Sequence, residues 1–369
     1  MRSGAPCERR SGHLDGEETK RRPGPAGAGG PIRLSDIAAR TGFSKNTVSL
    51  AMRGNPRIPE KTRDYIRGVA EDMDYVPNHV ARALTSRRTR TIGVVLSDIS
   101  NPVLTETSKV IESQLRAKGY SMLFASSSDS VAAEVEAIRM FRTRQLDGAL
   151  VYPTRPQRNW PHAEEMRRAG FPIVLVTPGG EGGADLVAAD EFAGARMAAI
   201  HLVEEGYRRI GVVDGDGQDG NADKLNGVRA GLRDAGLSFD EALRATPETH
   251  SPAGGFSAME RLMTGPERPD AVFLASDYLA IGAQHWCHLN GLRIPSDVAL
   301  VGFDNIALSE FMPTPLTSVD FDIGHIAELA IGRLMTLIDA PGLKPPPTVT
   351  LVAPRLIVRD SSRRQRSMN

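Results

Sequence analysis

Ile32-Arg33-Leu34-Ser35-Asp36-Ile37-Ala38-Ala39-Arg40-Thr41-Gly42-Phe43-Ser44-Lys45-Asn46-Thr47-Val48-Ser49 decides how the N-terminal part of the chain folds. Leu34, Ile37 and Ala38 fall at helical spacing, Ser35 stands near the start as a cap, and Thr41-Gly42 closes the segment. Ser44 is a natural N-cap for a second helix running to about Met52, where Arg53-Gly54-Asn55-Pro56 stops it. Two short helices across a glycine-containing turn make a helix-turn-helix pattern. A third helix is expected from about Pro59 to Tyr75, because Tyr65, Ile66, Val69, Ala70 and Met73 form an apolar stripe that covers the first two.

The second helix sorts into two faces. Lys45, Asn46, Ser49, Leu50 and Arg53 share one side, while Val48, Ala51 and Met52 lie opposite. One face packs and the other is free to enter a major groove. There Lys45 suits guanine O6/N7 or a phosphate, and Asn46 suits adenine N6/N7. A merely solvated polar face accounts for the same pattern.

Charge distribution bears on that choice. Basic and acidic residues balance at 45 each over the 369 residues, yet the first 90 hold 18 Lys/Arg against 10 Asp/Glu, a net of +8. The remainder carries the compensating −8, as suits a basic head for a polyanion on a body that avoids phosphate. Residues 1–30, rich in Gly, Pro and Arg without an apolar run of signal-peptide length, are expected to be a disordered extension. Only Cys7 and Cys287 occur, which argues against a disulfide framework and for a reducing compartment, the cytoplasm. No run of about 20 apolar residues is present, so no membrane partner is expected.

Beyond residue 90 the pattern changes. Apolar runs at Ile92–Leu96, Ser121–Ala125, Ala149–Tyr152 and Ile173–Val176 alternate with helical stretches, and a second series follows at Ile210–Val213, Ala271–Leu274 and Val298–Val301. Buried runs alternating with helices mean parallel α/β structure. Two lobes of similar size fit the spacing, with a ligand cleft at the carboxyl ends of the strands.

Enzyme readings fare worse. Gly215-Asp216-Gly217-Gln218-Asp219-Gly220 matches GxGxxG after an expected strand. Asp214, Asp216 and Asp219, however, crowd the place of a pyrophosphate, where they oppose the helix-terminus attraction such loops depend on. His285-Trp286-Cys287-His288 supplies two metal ligands at most from one helix, so neither a metal site nor a cofactor is expected. No GxSxG elbow, P-loop or HExxH occurs, and no catalytic residue is assigned. A periplasmic sugar-binding protein would share the two-lobed body, but it would need an export signal and would have no use for a basic three-helix head.

Taken with Met73-Asp74-Tyr75-Val76-Pro77-Asn78, the head motifs resemble those of the LacI/GalR family of bacterial repressors, in order and spacing alike. Further landmarks match along the body: Asp98-Ile99-Ser100-Asn101-Pro102, Gln145-Leu146-Asp147-Gly148, Ala275-Ser276-Asp277, Val301-Gly302-Phe303-Asp304 and Pro315-Leu316-Thr317-Ser318-Val319. The resemblance implies a small all-α helix-turn-helix head at 31–76, a hinge helix and linker at 77–90, a two-lobed, periplasmic-binding-protein-like α/β body at 91–360, and a tail at 361–369.

It also implies site residues. DNA contacts fall on Ser35, Ser44, Lys45, Asn46, Thr47, Ser49, Leu50 and Arg53, with Asn78, Ala81 and Leu84 in the hinge. Leu84 matches the leucine that wedges between base steps in the minor groove. Leu50 stands where the family usually has arginine, and Arg53 where asparagine is common. A leucine makes no bidentate guanine contact, so the operator is expected to differ from the usual one. In the body, Ser97, Lys224, Phe256, Ser276 and Asp304 fall where relatives contact a sugar, the phenylalanine serving the apolar sugar face. Lys224 occupies a position usually held by arginine and Ser276 one often held by asparagine; lysine lacks the planar fork that grips two oxygens. Double-stranded operator DNA, a sugar-like effector and a second copy of the chain are the implied partners, the homodimer following from two-fold operator geometry.

Overall fold

The computed structural model describes residues 32–76, 88–154, 161–176, 184–214, 222–340 and 345–364. The chain divides into two compact units between Asn78 and His79.

The first unit holds three helices, α1 (Leu34–Thr41), α2 (Lys45–Met52) and α3 (Glu60–Asp72). Ile37, Val48, Ala51, Ile66 and Ala70 are buried together as its core. Gly42 takes φ 75°, and its amide bonds the Ala38 carbonyl at 3.0 Å, which ends α1 as a left-handed cap. Two expectations need correction. Ser35 is not the cap of α1, since it sits inside the first turn; the Asp36 carboxylate instead accepts the Arg33 amide at 2.8 Å. Tyr65 does not join the covering stripe, being 53 % exposed, and its ring stands edge-on to Phe43 with centroids 6.5 Å apart.

The second unit contains two six-stranded sheets. In the first, β1 (Thr91–Leu96), β2 (Ser121–Ser126), β3 (Gly148–Val151), β4 (Ile173–Leu175), β5 (Asp185–Ala189) and β11 (Val349–Val352) run in the order β11-β5-β4-β3-β1-β2, with every pairing parallel. The second takes β6 (Ile210–Val213), β7 (Arg244–Ala245), β8 (Ala271–Leu274), β9 (Ala299–Phe303), β10 (Thr317–Asp320) and β12 (Arg355–Ile357) in the order β12-β10-β9-β8-β6-β7. Only β12 is antiparallel to its neighbour there. The parallel connections are made by α4 (Pro102–Ala117), α5 (Val131–Thr143) and α6 (Pro161–Arg168) in the first lobe, and by α8 (Asp223–Asp234), α9 (Pro252–Thr264) and α10 (Asp277–Leu289) in the second. The chain changes sheet after β5 through α7 (Glu191–Glu204), after β10 through α11 (Ile323–Asp339), and again between β11 and β12. These crossings make two lobes with strand ends facing a shared cleft.

The central strands are fully buried, as in β3 and β9, which is why they stand out in the sequence as unbroken apolar runs. The body does not end at residue 360. Ser361 and Ser362 are fully buried: Ser361 Oγ donates to the Leu300 carbonyl at 2.6 Å and accepts the Thr317 amide at 2.8 Å, while the Arg364 guanidinium lies 4.6 Å from the Tyr207 ring centroid. Residues 361–364 therefore belong to the second lobe. Among the described residues, no helix is long and apolar enough to cross a membrane.

Candidate nucleic-acid interface and effector cavity

On α2 the packing settles which face is free. Val48 and Ala51 have no exposed surface, which turns Lys45 and Asn46 fully outward and leaves Ser49 and Leu50 half-buried at the edge. Ser44 Oγ accepts the Thr47 amide at 3.1 Å and pairs with Thr47 Oγ1 at 2.9 Å, which fixes the start of the helix. Arg53 folds back: Nε donates to the Ser49 carbonyl at 3.1 Å and Nη2 to Ser49 Oγ at 2.7 Å. Ser44, Lys45, Asn46, Thr47, Ser49, Leu50 and Arg53 thus lie on one helix and its cap, with Ser35 exposed on α1. Asn78, Ala81 and Leu84 lie outside the described residues, as does the 215–220 glycine motif.

In the body, a cavity of about 170 Å³ opens at the carboxyl ends of the strands. Its walls come from the loop after β1 (Asn101), the ends of β3 and β4 (Tyr152, Val176), β5 (Ala188, Ala189), the start of α7 (Glu191), Lys224 of α8, His250, the ends of β8 and β9 (Ser276, Asp304), and the crossing segment with Phe321 and Ile326. Three of the five expected effector residues, Lys224, Ser276 and Asp304, are brought together here. The other two are not. Ser97 is half-buried off the cavity, its carbonyl taking the Asp129 amide at 3.0 Å. Phe256 packs between α9 and α10 with its ring centroid 5.9 Å from that of His285; the phenylalanine at the cavity is Phe321.

The charged centre is tightly arranged. Lys224 Nζ donates to Glu191 Oε1 at 3.0 Å and to the Ala275 carbonyl at 2.9 Å, and lies 4.2 Å from the centroid of Phe303. Burial works against the ammonium, but Glu191 and Asp304, with Asp214, outweigh it and hold the Lys224 pKa above its usual value. Asp304 is 8 % exposed and its carboxyl has no hydrogen-bond partner among the described residues. Burial lifts its pKa well above the usual carboxylate range, with Lys224 opposing and Asp277, Glu191 and Glu106 adding. Its backbone sits at φ 103°, a conformation that costs a non-glycine residue about 1–3 kcal/mol and is typically held at functional sites. The His250 imidazole keeps solvent-exposed surface at the rim; crowding and Lys224 push its pKa below the usual value, against Asp98.

Behind the cavity, Asp277 is completely buried. It accepts Ser318 Oγ at 2.7 Å, Ser309 Oγ at 2.5 Å and the Ile306 amide at 3.0 Å, so one carboxylate ties α10 to β10 and to the segment after Asp304. Burial pushes its pKa to about 7 despite these donors.

A three-helix unit with a free polar helix face, joined to a two-lobed α/β unit with a charged cleft, defines a ligand-responsive DNA-binding regulator. Comparison with known proteins agrees. The model of bacterial regulatory proteins of the lacI family matches residues 33–78, and that of the periplasmic binding protein-like domain matches residues 199–362. The chain is 31% identical over 295 residues to the HTH-type transcriptional regulator DegA of Bacillus subtilis (strain 168), covering 78% of this chain and 85% of that one. It is 28% identical over 314 residues to the ribose operon repressor of Escherichia coli (strain K12), covering 84% and 94%. The crystal structure of the lac repressor dimer bound to operator and the anti-inducer ONPF superposes with a TM-score of 0.77 at 21% identity, over 90% of this chain and 99% of that one, which establishes the fold. The chain belongs to the LacI family of bacterial transcriptional regulators, a family of DNA-binding proteins rather than enzymes.

Proposed function

We propose that the protein is a cytoplasmic repressor that binds operator DNA as a homodimer and releases or tightens its grip when a small sugar-like effector enters the cavity between the lobes. The observation that carries this reading is the Asp304 carboxyl, which lines the cleft with Lys224 and has no hydrogen-bond partner among the described residues. A carboxyl that faces the cleft without a protein partner is available to the hydroxyls of a polyol, which both donate and accept. The relative named for the ribose operon supports a sugar, and the solved lac repressor supports a dimer on DNA.

The head acts through Lys45 and Asn46 on base edges, with Ser35, Ser44, Thr47, Ser49, Leu50 and Arg53 on neighbouring bases and phosphates. The hinge acts through Asn78, Ala81 and Leu84. The working boundaries are 31–76 for the head, 77–90 for the hinge and 91–364 for the body. Ligand that favours one lobe arrangement shifts the DNA-competent population in proportion to its differential affinity.

Selection from random duplexes with the purified full chain tests the DNA half of this reading. A palindrome is expected, with affinity falling steeply as salt rises and lost on Lys45→Ala or Leu84→Ala. Enrichment of a single asymmetric half-site, or none with or without sugars present, would overturn it.

A further inference from the structure

The Lys224 ammonium is the cation that a phosphate or carboxylate entering the cavity would seek, yet it is already committed. Two of its three hydrogens go to Glu191 and to the Ala275 carbonyl, and the ammonium lies against the Phe303 ring. Asp214 also acts on it electrostatically, and Asp304 presents a second carboxyl to the same space. An anion placed here would face the Glu191 carboxylate across a largely desolvated site, where like charges repel several-fold more strongly than in water.

We propose that Glu191 is a specificity-determining residue: by holding Lys224 in an internal ion pair it closes the cavity to anionic ligands such as sugar phosphates and sugar acids, and leaves it open to uncharged, hydroxyl-bearing ones. This rests on reading the cavity as the effector site. Glu191 does so from the first turn of α7, at the point where the chain crosses between the sheets, so its carboxylate is placed by the fold and not by a mobile loop. The pair is mostly buried, with side-chain exposures of 16% for Lys224 and 9% for Glu191, so solvent does little to weaken it. Replacing Glu191 by glutamine keeps its shape and an acceptor oxygen but subtracts one negative charge, so the Lys224 ammonium is left without its neutralising carboxylate. That turns Lys224 into an anion receptor.

The test is calorimetric titration of the full chain with neutral pentoses and hexoses, with their phosphate esters and aldonic acids, and with inorganic phosphate. Wild type, Glu191→Gln and the double variant Glu191→Gln/Lys224→Gln are compared, so that phosphate held by the basic head cancels. Glu191→Gln is expected to gain about tenfold or more in affinity for at least one phosphate ester, and the double variant to lose that gain. A wild-type protein that binds a phosphate ester or sugar acid through Lys224, more tightly than the neutral parent sugar, overturns the proposal. So does a folded Glu191→Gln variant with no gain. The wild-type titration decides on its own if that variant proves unstable. Silence of every neutral sugar would count against the sugar reading of the site, whereas the charge selection is judged by the phosphate arm.

Discussion

The backbone amide of Thr89 donates to Asp147 Oδ1 at 2.8 Å, and Thr89 Oγ1 and the Arg90 amide complete the clamp at 3.0 and 2.9 Å. Arg88 adds an ion pair to Asp339 at 2.7 Å and a bond to the Ile338 carbonyl at 3.1 Å. The last residues of the linker are thereby fastened to the first lobe, at the start of β3 and the end of α11. Asp147→Ala strands three donors and is expected to cost on the order of 1–3 kcal/mol. Hydrogen exchange at the Thr89 and Arg90 amides should accelerate while that of β6 and β8 stays unchanged. Equal acceleration in both lobes would mean that the carboxylate acts on global stability alone.

Asp277 makes stability depend on pH in an identifiable window. Its carboxyl holds a proton up to about pH 7 in the folded state and loses it near 4 when unfolded. The folded state therefore binds more protons between those values, so its contribution to stability falls as pH rises from 4 to 7. Relative to wild type, Asp277→Asn should lose stability near pH 5 and recover part of that deficit by pH 8. Urea unfolding at the two pH values measures it, and a deficit that grows with pH contradicts the assignment.

Gly282 allows α9 and α10 to touch. A Cβ there would lie 1.7 Å from the Pro252 carbonyl oxygen, so Gly282→Ala is expected to destabilise the second lobe by about 3 kcal/mol or more. Gly332 is the control, because it is exposed on α11 and a Cβ added there would meet nothing within 4 Å: Gly332→Ala should stabilise by about 0.5–1 kcal/mol. Thermal melts of both variants check the pair.

Ser44 caps α2, and Ser44→Ala should cost the head about 1 kcal/mol, with Ser44→Asp restoring it. The melting of residues 32–76, followed by helix-specific exchange, separates this from any loss of a DNA contact.

The strongly buried strands were legible because burial on both faces writes a continuous apolar run: β1, β3, β6 and β8 coincide with the expected stretches to within a residue or two. β11 and β12 were not, since they are short edge strands with exposed Val349, Leu351 and Arg355, and their pairing comes from distant chain. The cavity was half legible. Lys224, Ser276 and Asp304 came from the family resemblance; Tyr152 and Val176 could have been found from the rule that ligands sit at carboxyl strand ends. Glu191 follows β5, which gave no signal of its own, so its meeting with Lys224 depends on a crossing that local sequence does not encode. Phe256 shows the converse: the resemblance gave it a sugar-contacting place, but its helix turns the ring toward His285.

The most direct test of ligand control is the affinity of the full chain for its selected operator, measured by fluorescence anisotropy with and without a neutral sugar that binds the cavity. The sugar is expected to shift the operator midpoint by about fivefold or more, in either direction, and Asp304→Ala to remove that response together with sugar binding. A sugar that saturates the cavity and leaves operator affinity unchanged, or a response that survives in Asp304→Ala, would contradict the account.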